Sequence, residues 1–215
     1  MTEPLYPLYS LSRLRMGIDG AGVTTLVAGA GCPLSCRWCI NKRLLREGKP
    51  APVTAAALVD KLRIDDLYFR ATGGGACFGG GESLLHADFL RAFRAAAPAD
   101  WRVTVETSLA VPAASVELAA SCVDFFIVDC KSMDRAVYCA YTGGDFDLME
   151  SNLRLLLSLV GPERISVRVP LIPEFNTPAQ QRQSARLLEA MGFPSSSLDL
   201  FSYVVREDPT LIERR

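Results

Sequence analysis

Apolar and polar positions alternate between two periods along this chain. Residues 23–28 form an apolar, β-branched run, Val-Thr-Thr-Leu-Val-Ala, which predicts a buried strand. Residues 54–62 then read as a helix with Thr54 as N-cap. Further strand-like segments lie at 66–71, 102–105, 124–128, 164–169 and 198–203, separated by helix-like segments at 83–96, 112–121, 147–159 and 177–191. Six strands alternating with helices predict βαβ units and an α/β fold with a parallel sheet. The unbroken Phe125-Phe126-Ile127-Val128 fits a strand buried on both faces. Residues 1–20 read as irregular, and with no interior linker the 215 residues are expected to form a single domain. An open doubly wound sheet and a barrel-like (β/α)6 sheet both suit this string, and both place sites at the C-terminal strand ends.

Composition narrows the chemistry. One histidine excludes any site that needs two imidazoles, whereas seven cysteines point to thiolate chemistry or structural thiols. A net charge of −1 predicts neither a nucleic-acid nor an anionic-membrane partner. No membrane span or basic-then-apolar leader is legible, and an odd number of cysteines fits a reducing cytoplasm better than a disulfide scaffold. A monomer is the default expectation.

Directly after the first strand, within a loop placed at 29–53, stand Cys32, Cys36 and Cys39, spaced C-x3-C-x2-C. Such spacing lets three thiolates converge on one small inorganic group. A 4Fe-4S cluster held by three cysteines keeps one iron open. A redox dithiol at Cys36 and Cys39, or a zinc site completed by His86 or Cys77, also suits the residues taken alone.

The triplet, with aromatic Trp38 before its third cysteine, resembles the radical S-adenosylmethionine (SAM) signature. Upstream, Asp19-Gly20-Ala21-Gly22-Val23 is similar to the Asp-Gly-Pro-Gly-Ile stretch of glycyl-radical-enzyme activases of the pyruvate formate-lyase activating type. That resemblance implies a parallel-sheet (β/α)6 partial TIM barrel. It also implies a 4Fe-4S cluster on Cys32, Cys36 and Cys39, SAM as cofactor, and Trp38 packed over the cluster. A second glycine-rich stretch, 72–82, lacks the G-x-G-x-x-G and Gly-Lys-Ser/Thr patterns. Its end resembles the family's Gly-Gly-Glu, which implies that Gly80, Gly81 and Glu82 meet the SAM amino group.

Charges recur at three successive strand ends: Glu106-Thr107, Asp129-Cys130-Lys131 and Arg168. Charges in buried strands are costly unless paired, so a shared polar pocket is expected. By the resemblance, Glu106, Thr107 and Asp129 become candidate ligands of a monovalent cation, and Lys131 and Arg168 become SAM contacts. The implied partners are a glycyl-radical enzyme as substrate and a flavodoxin- or ferredoxin-type electron donor. Four departures qualify the match: Ile40 and Val204 replace family histidines, Ser108-Leu109 replaces Asn-Gly, and Ser83 replaces a proline. They keep open radical chemistry on a small molecule or peptide, and a non-enzymatic zinc or iron–sulfur module. Cys77, Cys122, Cys130 and Cys139 share no spacing and are expected to pack in the core, and His86 to sit at a surface or cap.

Overall fold

The computed structural model describes residues 3–205. Its strands are β1 (Tyr6–Met16), β2 (Val23–Gly29), β3 (Ala51–Val53), β4 (Gly75–Gly80), β5 (Arg102–Thr107), β6 (Phe125–Asp129), β7 (Ile165–Leu171) and β8 (Leu198–Ser202). They make one sheet in the order β3-β1-β2-β4-β5-β6-β7-β8. Every pairing from β2 to β8 is parallel, and β1 joins β2 and β3 antiparallel. The six parallel strands are the expected (β/α)6 arrangement, and the sheet stays open between β3 and β8.

Among the described residues eight α-helices accompany the strands: α1 (Lys42–Glu47), α2 (Ala55–Leu62), α3 (Asp66–Thr72), α4 (Ala87–Ala96), α5 (Ala113–Ala120), α6 (Arg135–Thr142), α7 (Phe146–Val160) and α8 (Pro178–Met191). Side-chain caps start several of them. Thr54 accepts from the Ala57 N–H, Asp145 accepts from the N–H groups of Asp147 and Leu148, and Thr177 forms a capping box with Gln180. None of the described helices is long and apolar enough to cross a membrane.

The structure corrects four expectations. Residues 6–16 are an 11-residue strand, not an irregular start. Tyr6 anchors it, fully buried against Gly29, where any side chain would overlap the phenol ring. The 29–53 loop contains α1 and β3. Residues 135–142, assigned to neither strand nor helix above, form α6 on its Asp134 cap. Residues 66–71 are helix rather than strand. There Asp66 pairs with Arg70 at 2.9 Å across one turn and accepts the Trp101 indole N–H at 2.7 Å. Phe69 packs edge-on against Trp101, and Gly73 ends the helix in the left-handed region. The apolar Leu67 and Tyr68, which give this stretch its strand-like look, face outward.

The strand belonging to this unit is β4, inside the glycine-rich stretch. Glycine is required there by close approach: a Cβ on Gly75 would overlap the Arg102 backbone of β5.

The turn between β1 and β2 closes the N-terminal end of the parallel strands. Asp19 is fully buried in it and pairs with Arg15, and Gly20 lies against Thr104 and Phe125. Arg168 of β7 reaches down to the Ile18 carbonyl at 2.7 Å.

Candidate active site

The site is built at the opposite, C-terminal end of the strands. The segment after β2 is held by contacts that do not involve its thiols. The Thr142 carbonyl at the end of α6 accepts the Ser35 N–H at 2.8 Å, and the Tyr141 carbonyl accepts the Arg37 N–H at 3.0 Å. A turn closes from the Cys39 N–H to the Cys36 carbonyl, and the Lys42 N–H then returns to Cys39. Asn41 donates its side-chain amide to the Gly80 carbonyl at 2.8 Å. On the far side, the Tyr203 hydroxyl donates to the Trp38 carbonyl, and the Trp38 indole N–H donates to the Pro173 carbonyl at 3.3 Å. His86 hydrogen-bonds the Ala30 carbonyl at 2.9 Å and stacks edge-on with Tyr6.

Cys32, Cys36 and Cys39 line one cavity of about 620 Å³, with Lys42 and Arg46 of α1 at its rim. Among the described residues no three His, Cys, Asp or Glu side chains gather tightly enough to hold a single metal ion, His86 and Cys77 included. Three thiols lining one cavity suit a polynuclear iron–sulfur group. Burial pushes Cys36 up to about 11, partly offset by nearby Lys131, and burial also raises Cys32. Loading the site must therefore expel a proton from Cys36.

Gly81 joins the glycine-rich strand end to this loop. Its N–H donates to the Gly29 carbonyl at 3.0 Å, and the Glu82 N–H donates to the Gly31 carbonyl at 2.8 Å. A Cβ on Gly81 would overlap that Gly31 carbonyl oxygen. Gly81→Ala is therefore expected to push the cysteine loop off β4 and to cost roughly 1–3 kcal/mol of stability. Thermal unfolding, together with iron bound per chain, checks both effects.

Glu82 is buried, and its carboxylate is used internally. One oxygen accepts from the Leu84 N–H at 3.1 Å and the Thr107 hydroxyl at 2.6 Å; the other accepts from Ser108 N–H and Oγ at 2.7 and 2.6 Å. The Glu82 side chain thus ties β4 to the end of β5. Leu109 follows in the left-handed region with φ of 60°, where the resemblance places a glycine. Its fully buried side chain offsets that strain, and Asn152 holds its carbonyl at 2.9 Å.

The charged strand ends form a continuous chain across β5, β6 and β7. Glu106 accepts from Arg168 at 2.7 Å, Arg168 lies 3.8 Å from Asp129, and Asp129 pairs with Lys131 at 3.1 Å. Burial raises Glu106 against the opposing pull of Arg168. Burial works to lower Lys131, but Asp129 and Cys36 outweigh it and its pKa is raised. The Thr107 hydroxyl is turned to Glu82 and the Leu109 N–H, away from Glu106 and Asp129.

The family model described as the radical SAM superfamily matches residues 26–179. The chain belongs to this superfamily. Among its curated relatives, a pyruvate formate-lyase 2-activating enzyme of Escherichia coli is 28% identical over 83% of this chain and 70% of its own length. A (2S)-3-sulfopropanediol dehydratase activating enzyme of Klebsiella oxytoca is 30% identical over 68% of this chain, but only 46% of its own length. A radical SAM methyltransferase from Sphaerobacter thermophilus superposes with a TM-score of 0.60, covering 96% of this chain and 69% of that one at 16% identity, which speaks for the fold alone.

Lys131 lies near enough to Cys36 for their charges to interact, whereas Arg168 turns to Glu106 and, at the opposite end of the strands, to the Ile18 carbonyl. Trp38 is half-buried and bridges toward the loop after β7. Of the remaining thiols, Cys77 and Cys130 are buried as expected, Cys122 is half-buried, and Cys139 is exposed rather than packed. Sequence reasoning missed Asn41, Tyr141 and Tyr203 as loop anchors. Asn41 carried a signal: an amide two positions after the third cysteine is suited to meet a free backbone carbonyl.

Proposed function

We propose that this chain cleaves SAM reductively to give a 5'-deoxyadenosyl radical and uses it to install a glycyl radical on a partner enzyme. The observation that carries the proposal is that Cys32, Cys36 and Cys39 line one cavity, on the loop that leaves the C-terminal end of β2. The activating enzymes among the relatives support the partner class. A 4Fe-4S cluster on these thiolates, when bound, supplies an open iron for the amino-acid end of SAM and the electron for sulfonium cleavage.

The chain's own residues have separable tasks. Arg168 and Lys131 offer cationic donors to a carboxylate, Arg168 in a forked geometry suited to it. The backbone of Gly80 and Gly81 meets the ammonium group from the β4 side. Trp38 and the buried floor limit water at the mouth. A monovalent cation between Glu106 and Asp129 belongs to this proposal as an accessory group, with Thr107 contributing through its main chain. The proposed setting is a reducing, anaerobic cytoplasm.

The test is anaerobic reconstitution with iron and sulfide, photoreduction with a deazaflavin, and assay of 5'-deoxyadenosine. Formation of the nucleoside supports the radical reading, and its absence from a brown, four-iron protein sinks it. Co-incubation with glycyl-radical enzymes then separates the activase reading from action on a small molecule, by electron paramagnetic resonance of the glycyl radical.

A further inference from the structure

Tyr138 lies on α6 and is fully buried. Its ring packs edge-on against Phe146 at 5.8 Å, a contact that phenylalanine would make as well. The hydroxyl is what needs a reason. Its oxygen is sealed from solvent and has no hydrogen-bond partner among the described residues. The neighbouring Thr142 hydroxyl is already engaged, donating to the Tyr138 carbonyl at 2.7 Å and accepting from the Gly144 N–H at 3.0 Å. An unpaired buried hydroxyl destabilises a fold that phenylalanine would leave unharmed.

This hydroxyl lies against the seat of the cysteine loop. α6 runs out into Gly143-Gly144, and the residues before Cys36 rest on that pair. A Cβ on Gly143 would meet the Ser35 hydroxyl at 2.7 Å, and one on Gly144 would overlap the Leu34 side chain. The same Gly144 Cβ would lie 3.4 Å from the Tyr138 hydroxyl, so that hydroxyl and Leu34 approach Gly144 together. Leu34, Ser35 and Cys36 in turn line the thiol cavity. Among the cysteines whose charge reaches the phenol, Cys36 acts most strongly, ahead of Cys130 and Cys139.

We infer that the Tyr138 hydroxyl donates a hydrogen bond to the Cys36 sulfur once that sulfur is a metal-bound thiolate. The inference rests on the proposed iron–sulfur group at Cys32, Cys36 and Cys39. No sulfur is within hydrogen-bond reach of the hydroxyl before loading. Loading draws three thiolates onto one group and supplies a charged acceptor, which a phenol meets more strongly than it meets a neutral one. Tyr138 is then a positioning residue. It acts on the chemistry only through Cys36, by fixing the sulfur and by setting how readily an electron is accepted there. A donor on the sulfur favours the more negative, reduced state, so the hydroxyl raises the reduction potential.

Tyr138→Phe tests this, because it removes the hydroxyl and keeps the ring. In the metal-free protein the variant loses only an unpaired group, so its unfolding midpoint should equal or exceed that of the wild type. After anaerobic reconstitution with iron and sulfide the order should reverse. The variant should hold iron against a chelator about tenfold less well, as when a ligand loses a supporting contact. Its potential, from a redox titration followed by electron paramagnetic resonance, should fall by about 59 mV, a tenfold change in a one-electron equilibrium. Resonance Raman bands of the iron–thiolate stretches should shift in deuterated buffer for the wild type, and less for the variant. Equal potentials, iron retention and deuterium shifts in the two loaded proteins would overturn the inference and leave the cluster proposal standing. A metal-free variant less stable than the wild type would overturn it as well, since the hydroxyl would then have a partner before any metal arrives. A wild type that takes up no iron would remove the cluster proposal and this inference with it.

Discussion

Cys36→Ala should fold normally and fail to hold its iron. The loop that carries Cys36 is anchored through Ser35, Arg37, Asn41, Trp38 and Tyr203, and none of those hydrogen bonds uses a sulfur. Cys36 is itself half-buried, so its loss leaves no large internal void. The unfolding midpoint of the metal-free protein should therefore move by no more than a few degrees, as for an ordinary surface change. Iron after anaerobic reconstitution should fall well below the roughly four per chain of a full cluster. 5'-Deoxyadenosine formation should fall by more than the roughly 100-fold that attends loss of a ligand's supporting contacts. Asn41→Ala is the useful comparison, since it removes such a contact and leaves all three thiols. Cys122→Ser should retain both iron and turnover. A Cys36→Ala protein with full iron and wild-type turnover would refute the assignment of this cavity.

Arg168→Met is expected to damage stability and SAM binding together, and the two effects have different pH dependences. The Arg168 guanidinium is hydrogen-bonded to Glu106 and the Ile18 carbonyl and lies near Asp129. Its removal strands two mostly buried carboxylates. Breaking a fully buried pair costs about 3–5 kcal/mol. Side-chain exposures of 18% for Arg168 and 20% for Glu106 let water offset part of this, so about 2–3 kcal/mol is expected.

The sign with pH follows from Glu106. Burial already raises its pKa above the unfolded value, with Arg168 opposing. A carboxyl raised on folding contributes stability that is present at low pH and is lost as pH rises through its folded value. Without Arg168 that value moves further up. The variant's deficit should therefore grow from pH 5 to pH 8, as measured by denaturant unfolding at each pH. SAM affinity, followed by equilibrium binding at pH 8, should weaken by one to two orders of magnitude, the usual range for truncating a charge-assisted contact of about 1.5–3 kcal/mol. A pH-independent deficit with unchanged SAM affinity would show that Arg168 only packs.

The parallel strands were legible because burial on both faces writes itself as unbroken apolar runs; residues 125–128 are the clearest case. The cysteine triplet was legible because its ligands lie within eight residues of one another. Where reading failed, tertiary packing overrode local pattern. Gly75 to Gly80 look like a loop because glycine has no strand preference, yet glycine is what lets β4 lie against its neighbours. Leu67 and Tyr68 look like a strand, yet one buried Phe69 and an Asp66–Arg70 pair hold that segment as helix. Glu82 was legible as a site residue but not in its geometry. No spacing rule connects it to Thr107 and Ser108, whose hydroxyls and backbone take up its carboxylate. The loop anchors from Tyr141 and Tyr203 are separated from their targets by more than 100 residues, and only the assembled sheet brings them together.

The β1–β2 turn, with buried Asp19 and the Arg168 contact to Ile18, stops the bottom of the strand assembly. Under the proposed function, SAM and the partner enzyme then share the approach from the C-terminal strand ends, and the small molecule has to be seated before the large one covers it.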